Sequence, residues 1–152
     1  MQRLTVPRAI AYGGLVVGVL DIADAFIFFG LRGAKPVRIL QSIAAGLFGR
    51  QSFAGGWQTA SLGLALHFFI ATTIVAVFVL ASRRFPWLVR APVATGLAYG
   101  VAAWLVMNFV VLPLSAAGQP TFKWPMVANG VLIHMFGVGL PSALFARAAS
   151  RK

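Results

Sequence analysis

AIAYGGLVVGVLDIADAFIFFGL, residues Ala9 to Leu31, is the stretch whose reading decides the fold. It is apolar and long enough to cross a bilayer as one helix, yet it holds the only two side-chain carboxylates of the protein, Asp21 and Asp24. A charged side chain at bilayer depth costs roughly 2.5–3.5 kcal/mol even on the mildest scale, so such residues turn inward and mark a pathway, a relay or a ligand site. Three positions apart, Asp21 and Asp24 share one helix face. That face also carries Gly14, Gly18 and Ala25, and Gly14-x-x-x-Gly18 is the spacing that lets a second helix backbone come close. The first helix is therefore expected at the centre of a bundle.

Working outward, three further apolar runs follow: Trp57 to Ala81, Ala91 to Leu114 and Trp124 to Ala146. With 60% hydrophobic and 10% charged residues among 152, the chain is too apolar for a soluble domain and reads as a single integral membrane domain over residues 1–152. The expected class is all-α, a four-helix membrane bundle. Thirteen Lys and Arg give a net charge of +11, but they form no continuous tract and sit at helix ends, where they suit anionic lipid head groups; nucleic acid is not an expected partner. The absence of cysteine excludes disulfides, thiolate ligands and thiol nucleophiles.

Arg3, Arg8, Arg83, Arg84, Arg90, Arg147, Arg151 and Lys152 fall on one side of the membrane, and Arg32, Lys35, Arg38, Arg50 and Lys123 on the other. Eight against five predicts cytoplasmic termini. Arg3 and Arg8 before an apolar stretch, with Ala23-Asp24-Ala25 as a small-x-small site, also resemble a signal peptide. Cleavage there would expose Phe26-Ile27-Phe28-Phe29 as a new terminus, so an uncleaved helix is expected.

Between the first two spans, residues 37–50 have helical periodicity, with Ile39, Leu40, Ile43, Ala44, Leu47 and Phe48 on one side. Too short to span, the segment is expected to lie flat at the interface or to re-enter the membrane. Trp57 and Trp124 open the second and fourth spans as interface anchors. Trp57, Gly63, His67 and Phe78 recur as Trp124, Gly130, His134 and Phe145, each 67 residues further on. Two hairpins related as a parallel repeat are expected, with Asp24 corresponding to Asn108 in a weaker match of the first and third spans.

Both histidines lie roughly 15 Å below their tryptophans, at a depth that Asp21, Asp24 and Asn108 share. Gly63 and Gly130 are expected as close-packing positions beside them. Double ionisation of two carboxylates three apart is disfavoured in low dielectric, so the acids are expected to be unequal, with Asp24 the exchanging member and a histidine or an inward-reaching Arg stabilising the other. Three readings follow: proton- or cation-linked transport through the acids; a metal or haem held by Asp21, Asp24, His67 and His134; or a structural cluster that pins helix register. The first and third need no cofactor. Catalysis is not expected, because no nucleophile elbow, zincin motif or phosphate loop is present.

The layout, four helices with an acid on the first, resembles that of small multidrug transporters, although those are shorter, use a glutamate and share no motif with this chain. Ile39-Leu40-Gln41-Ser42-Ile43-Ala44-Ala45-Gly46-Leu47, Asn108-Phe109-Val110-Val111-Leu112-Pro113-Leu114-Ser115 and the surroundings of His67 resemble a family of small bacterial inner-membrane proteins of the YagU-like kind. The resemblance covers patches of the chain. It implies a bacterial inner-membrane location and the helix count, and no activity; it also favours a re-entrant segment around Gln41-Ser42. Gly14-x-x-x-Gly18 could equally serve an internal contact or a homo-oligomer.

Overall fold

The structure is a computed structural model that describes residues 4–150; Arg3, Arg151 and Lys152, three of the basic residues assigned to one side above, lie outside the described residues. Every regular element among the described residues is helical. Four helices are long and apolar enough to cross a membrane: α1 (Val6–Gly30), α3 (Gly56–Arg84), α4 (Pro92–Leu114) and α5 (Trp124–Ser150). A shorter helix, α2 (Pro36–Phe48), lies between the first two. α1, α3 and α5 overrun their apolar stretches at the basic ends, whereas α4 stays within its own. Pro7 in the first turn of α1 has no intrahelical donor to lose, and Arg83 and Arg84 complement the carbonyl end of α3.

Small residues decide how the helices meet. Lipid tails are as apolar as leucine, so no hydrophobic drive pulls helices together and close backbone packing must do it. Gly14 and Gly18 face Thr72 and Phe68 of α3, so this motif is used within the chain. Gly63 of α3 lies against the backbone of α2 at Leu40 and Ala44. Gly96 and Gly100 of α4 meet the α5 backbone from His134 to Leu140, a small-x-x-x-small pattern that the sequence reading passed over. Val17, Val75, Phe78, Val79, Val138 and Ala143 fill the core between α1, α3 and α5.

α4 is held mainly by α5, and its backbone scarcely approaches α3. Tyr99 ties these two helices near the Pro86–Val89 turn, donating its hydroxyl to Ile74 O at 2.7 Å and packing edge-on against Phe78. From Trp104 onward α4 carries larger side chains, Leu105, Val106, Met107 and Phe109 among them.

α2 runs across the end of the bundle opposite that turn. Its apolar side packs with Ile22 and Ala60, and Gln41, 2% exposed, donates to Gly56 O at 2.9 Å where α3 begins. Gly49, with φ of +58°, ends α2 in a conformation that other residues rarely adopt. From there Gly46 O accepts the amide of Ala116, tying α2 to the loop after α4.

A side chain at Gly63 or Gly100 would collide with backbone that cannot yield. Gly63→Val and Gly100→Val are each expected to lower stability by about 1–3 kcal/mol, read as an earlier thermal transition of the detergent-solubilised protein. Gly30→Ala, at a position with open space around it, should leave the transition within about 1 °C.

Candidate functional site

Where α4 stands off from the core, a cavity of about 340 Å³ opens between all five helices. Asp21 from α1, His67 from α3, Asn108 and Trp104 from α4, and His134 from α5 line it, and α2 contributes Ile39, Ser42 and Ile43. Asp21 is the only charged side chain in the lining. The connector arginines turn elsewhere: Arg32 donates to Phe28 O at 2.7 Å and stacks on the Phe28 ring, while Arg38 donates to Phe53 O at 3.2 Å. Among the described residues no Arg lines the cavity beside the acid.

His67 is the most constrained member. Its ring is buried at 8% exposure, and Nε2 lies 2.8 Å from Gly18 O on α1. A backbone carbonyl only accepts, so Nε2 carries the proton. Nδ1 then carries the ring's lone pair, and Asp21 Oδ2 stands 3.9 Å from it. A lone pair on Nδ1 facing an ionised carboxylate would be repulsive. One proton between the two groups, on either partner, removes the conflict and leaves the pair neutral. The gap is wider than a direct hydrogen bond, and a small carboxyl rotation or one water closes it.

Asp24 goes another way. Its Oδ2 accepts from Asn129 Nδ2 at 2.7 Å, joining α1 to α5, and it does not line the cavity. Three residues turn a helix by about 60° short of a full circle, enough to direct one acid toward α3 and the other toward α5. Asn129 did not enter the sequence reading. It lies outside the 67-residue correspondence, and only its depth, five residues below Trp124, hinted at a role.

On α4 and α5 the polar residues sit where the helices change register. Met107–Val111 and His134–Gly139 are π-helical, a form common at functional positions. Asn108 Nδ2 donates to Trp104 O at 2.9 Å, leaving its Oδ1 free to accept. His134 Nδ1 donates to Gly130 O at 2.9 Å, which leaves Nε2 as the acceptor nitrogen. Gly130 itself makes room for the Trp104 indole, since a Cβ would fall 2.6 Å from Nε1. The matching positions of α3 are regular α-helix, so the two halves differ at the site.

The donor set can hold a proton and accept a cation. Among the described residues no three His, Cys, Asp or Glu side chains converge as a metal site would require. Trp57 and Trp124, 73% and 78% exposed at the starts of α3 and α5, stand outside the site. Compared with family models, with curated proteins and with solved structures, the chain gives no match.

Proposed function

We propose that this multi-pass membrane protein exchanges protons for a monovalent cation at Asp21, with His67 as the partner that shares the proton. The observation that carries the reading is the Asp21–His67 pair, whose outer nitrogen is locked on Gly18, at the wall of a cavity with no other charge. In the resting state, one proton and the Asp21 carboxylate make the site neutral. When a cation takes the carboxylate, that proton leaves to water, His67 remains neutral, and the site is neutral again. Charge in low dielectric is expensive, so only states with balanced charge are populated, and exchange is one for one.

His134 and Asn108 line the same cavity, with Nε2 and Oδ1 as their acceptor atoms, and Trp104 adds an aromatic ring to the lining. Asp24 is read as a structural tie to Asn129. α2 is read as a re-entrant cover of the cavity, supported by buried Gln41 and by Ser42 in the lining. The shared spacing of His67 and His134 supports two parallel hairpins of common origin, the basic residues support cytoplasmic termini, and the resemblance of residues 39–47 and 108–115 is what suggests a bacterial inner membrane. Anionic head groups at the helix ends are the expected surroundings.

Proteoliposomes with an acid interior and a trapped pH dye test the exchange. Addition of outside sodium, potassium or tetramethylammonium is expected to release internal protons with at least one of them. Asp21→Asn should abolish the release; Asp24→Asn, which still accepts from Asn129, should retain it. Retention in Asp21→Asn, or no release above protein-free vesicles, refutes the reading.

Proton and cation compete for one carboxylate, so cation affinity is expected to fall as pH falls. The imidazoles that line the cavity with Asp21 are those of His67 and His134, while α2 and α4 add Ser42, Asn108 and Trp104. His67→Gln can still donate to Gly18 O but cannot hold a second proton. It should keep the fold and move the pH at which cation affinity falls, because the carboxyl alone then holds the proton.

The chain has no cysteine, so a single introduced one reports topology. Gln119→Cys should react with an impermeant thiol reagent in intact cells, and Trp87→Cys only after permeabilisation. The reverse pattern would invert the orientation.

A further inference from the structure

At the end of the bundle away from α2, the start of α1, the last turn of α3, the Pro86–Val89 turn and the end of α5 border a space of about 370 Å³. That is within the ordinary range for a small-ligand pocket, about 300–1,000 Å³. α5 contributes only small residues to the lining, Ala146, Ala149 and Ser150, and this leaves the room. The floor continues the core: Val79 and Ala146 belong to it, and Val6 and Val89 pack against it. Arg83 is the one charged side chain in the lining.

Charge at this end is one-sided. Arg8, Arg83, Arg84, Arg90 and Arg147 all lie close to the helix ends here, whereas both side-chain carboxylates of the protein, Asp21 and Asp24, lie far along α1. Measured from Val6 they are about 22 and 27 Å away along the axis, so no side-chain acid reaches these arginines. Two helix C-termini and one N-terminus also meet here, and at about half a charge each they leave roughly −0.5. Five guanidinium groups outweigh that. The serine hydroxyls of the lining are spent, Ser82 donating to Val79 O at 2.7 Å and Ser150 to Arg147 O at 2.9 Å. Holding an anion in the space therefore falls to Arg83, whose planar fork matches two phosphate oxygens at once. Arg84 lies instead over the Phe85 ring, 5.5 Å from its centre, and does not line the space. Phe85 and Trp87, 48% and 58% exposed, flank the mouth, as aromatic residues do at the level of lipid head groups.

We propose that this space binds one anionic phospholipid, its phosphodiester on the Arg83 guanidinium and its glycerol and first acyl carbons against Val79, Val89 and Ala146. The inference is independent of exchange at Asp21. Bound there, the lipid touches α1, α3 and α5 together, and because it binds only the folded bundle it stabilises it. A zwitterionic lipid presents the same phosphate but carries a cation that the surrounding arginines repel. The competing account is diffuse attraction of every arginine to head groups, with no site; it would make the arginines interchangeable.

The test uses the full-length protein in a neutral detergent, with phosphatidylglycerol, phosphatidylcholine of the same chains, or inorganic phosphate added in turn. Bound lipid is counted by native mass spectrometry, and the thermal transition is followed in parallel. Phosphatidylglycerol is expected to leave one molecule bound and to raise the transition; the other two should do neither. Arg83→Gln, at an exposed position, should weaken phosphatidylglycerol by about tenfold. Ser150→Trp fills the space from its exposed rim without removing charge, and should weaken it to a similar degree. Arg84→Gln removes the same charge outside the space and should leave the affinity within about twofold. Equal losses in Arg83→Gln and Arg84→Gln would mean diffuse attraction and overturn the site, as would binding that ignores either Arg83→Gln or Ser150→Trp. Inorganic phosphate that raises the transition as far as phosphatidylglycerol does would make the occupant a soluble anion and overturn the lipid assignment.

Discussion

The hydrogen bond between His67 Nε2 and Gly18 O, 2.8 Å long, is the interaction on which the candidate site depends. It joins α1 to α3 deep in the bundle and fixes the tautomer of the ring, and it turns Nδ1 toward Asp21. A carbonyl inside a helix already accepts from the backbone, and its second lone pair is open only where a neighbouring helix comes close. Gly18 provides that approach, since a Cβ there would collide with the ring of Phe68 beside His67. The same glycine thus sets both the helix packing and the chemistry.

Packing by glycine also explains why a cavity exists at all. Gly14 and Gly18 hold α1 on α3, Gly63 holds α3 on α2, and Gly96 and Gly100 hold α4 on α5. α4 and α3 have no such pair and meet through Tyr99 at one end. In lipid nothing else drives them together, so they remain apart and leave space on both sides of Ile70, Ile74 and Met107. One side is lined by an acid, two imidazoles and an amide, and the other by aliphatic and aromatic groups. A bundle with uniformly small helix faces would have neither space.

The two acids illustrate how one helix turn separates roles. Asp24 meets Asn129 at 2.7 Å and ties α1 to α5, as polar pairs in membrane bundles commonly do. Among the described residues Asp21 has no hydrogen-bond partner at that distance, and it faces a cavity and the His67 ring. A carboxyl with a settled partner contributes to structure, whereas one whose proton has two possible homes is suited to exchange.

Much of the architecture was legible in the sequence because bilayer thickness imposes a length and a polarity that composition reveals directly. The four spans follow from the apolar runs, and the inward turn of α1 from its acids and Gly14-x-x-x-Gly18. The depth of Asp21, His67, Asn108 and His134 was readable by counting helix rise, and these four do line one cavity. Tertiary structure alone decided what depth could not. Whether Asp24 points to α3 or to α5 depends on helix rotation, on which a face shared by two acids is silent. The partner Asn129 and the Gly96–Gly100 crossing belong to pairings between helices, and a hydropathy pattern does not encode which helix neighbours which. The π turns at Met107–Val111 and His134–Gly139, and the gap beside them, arise from backbone register and from the absence of a close contact, neither of which leaves a mark in residue spacing.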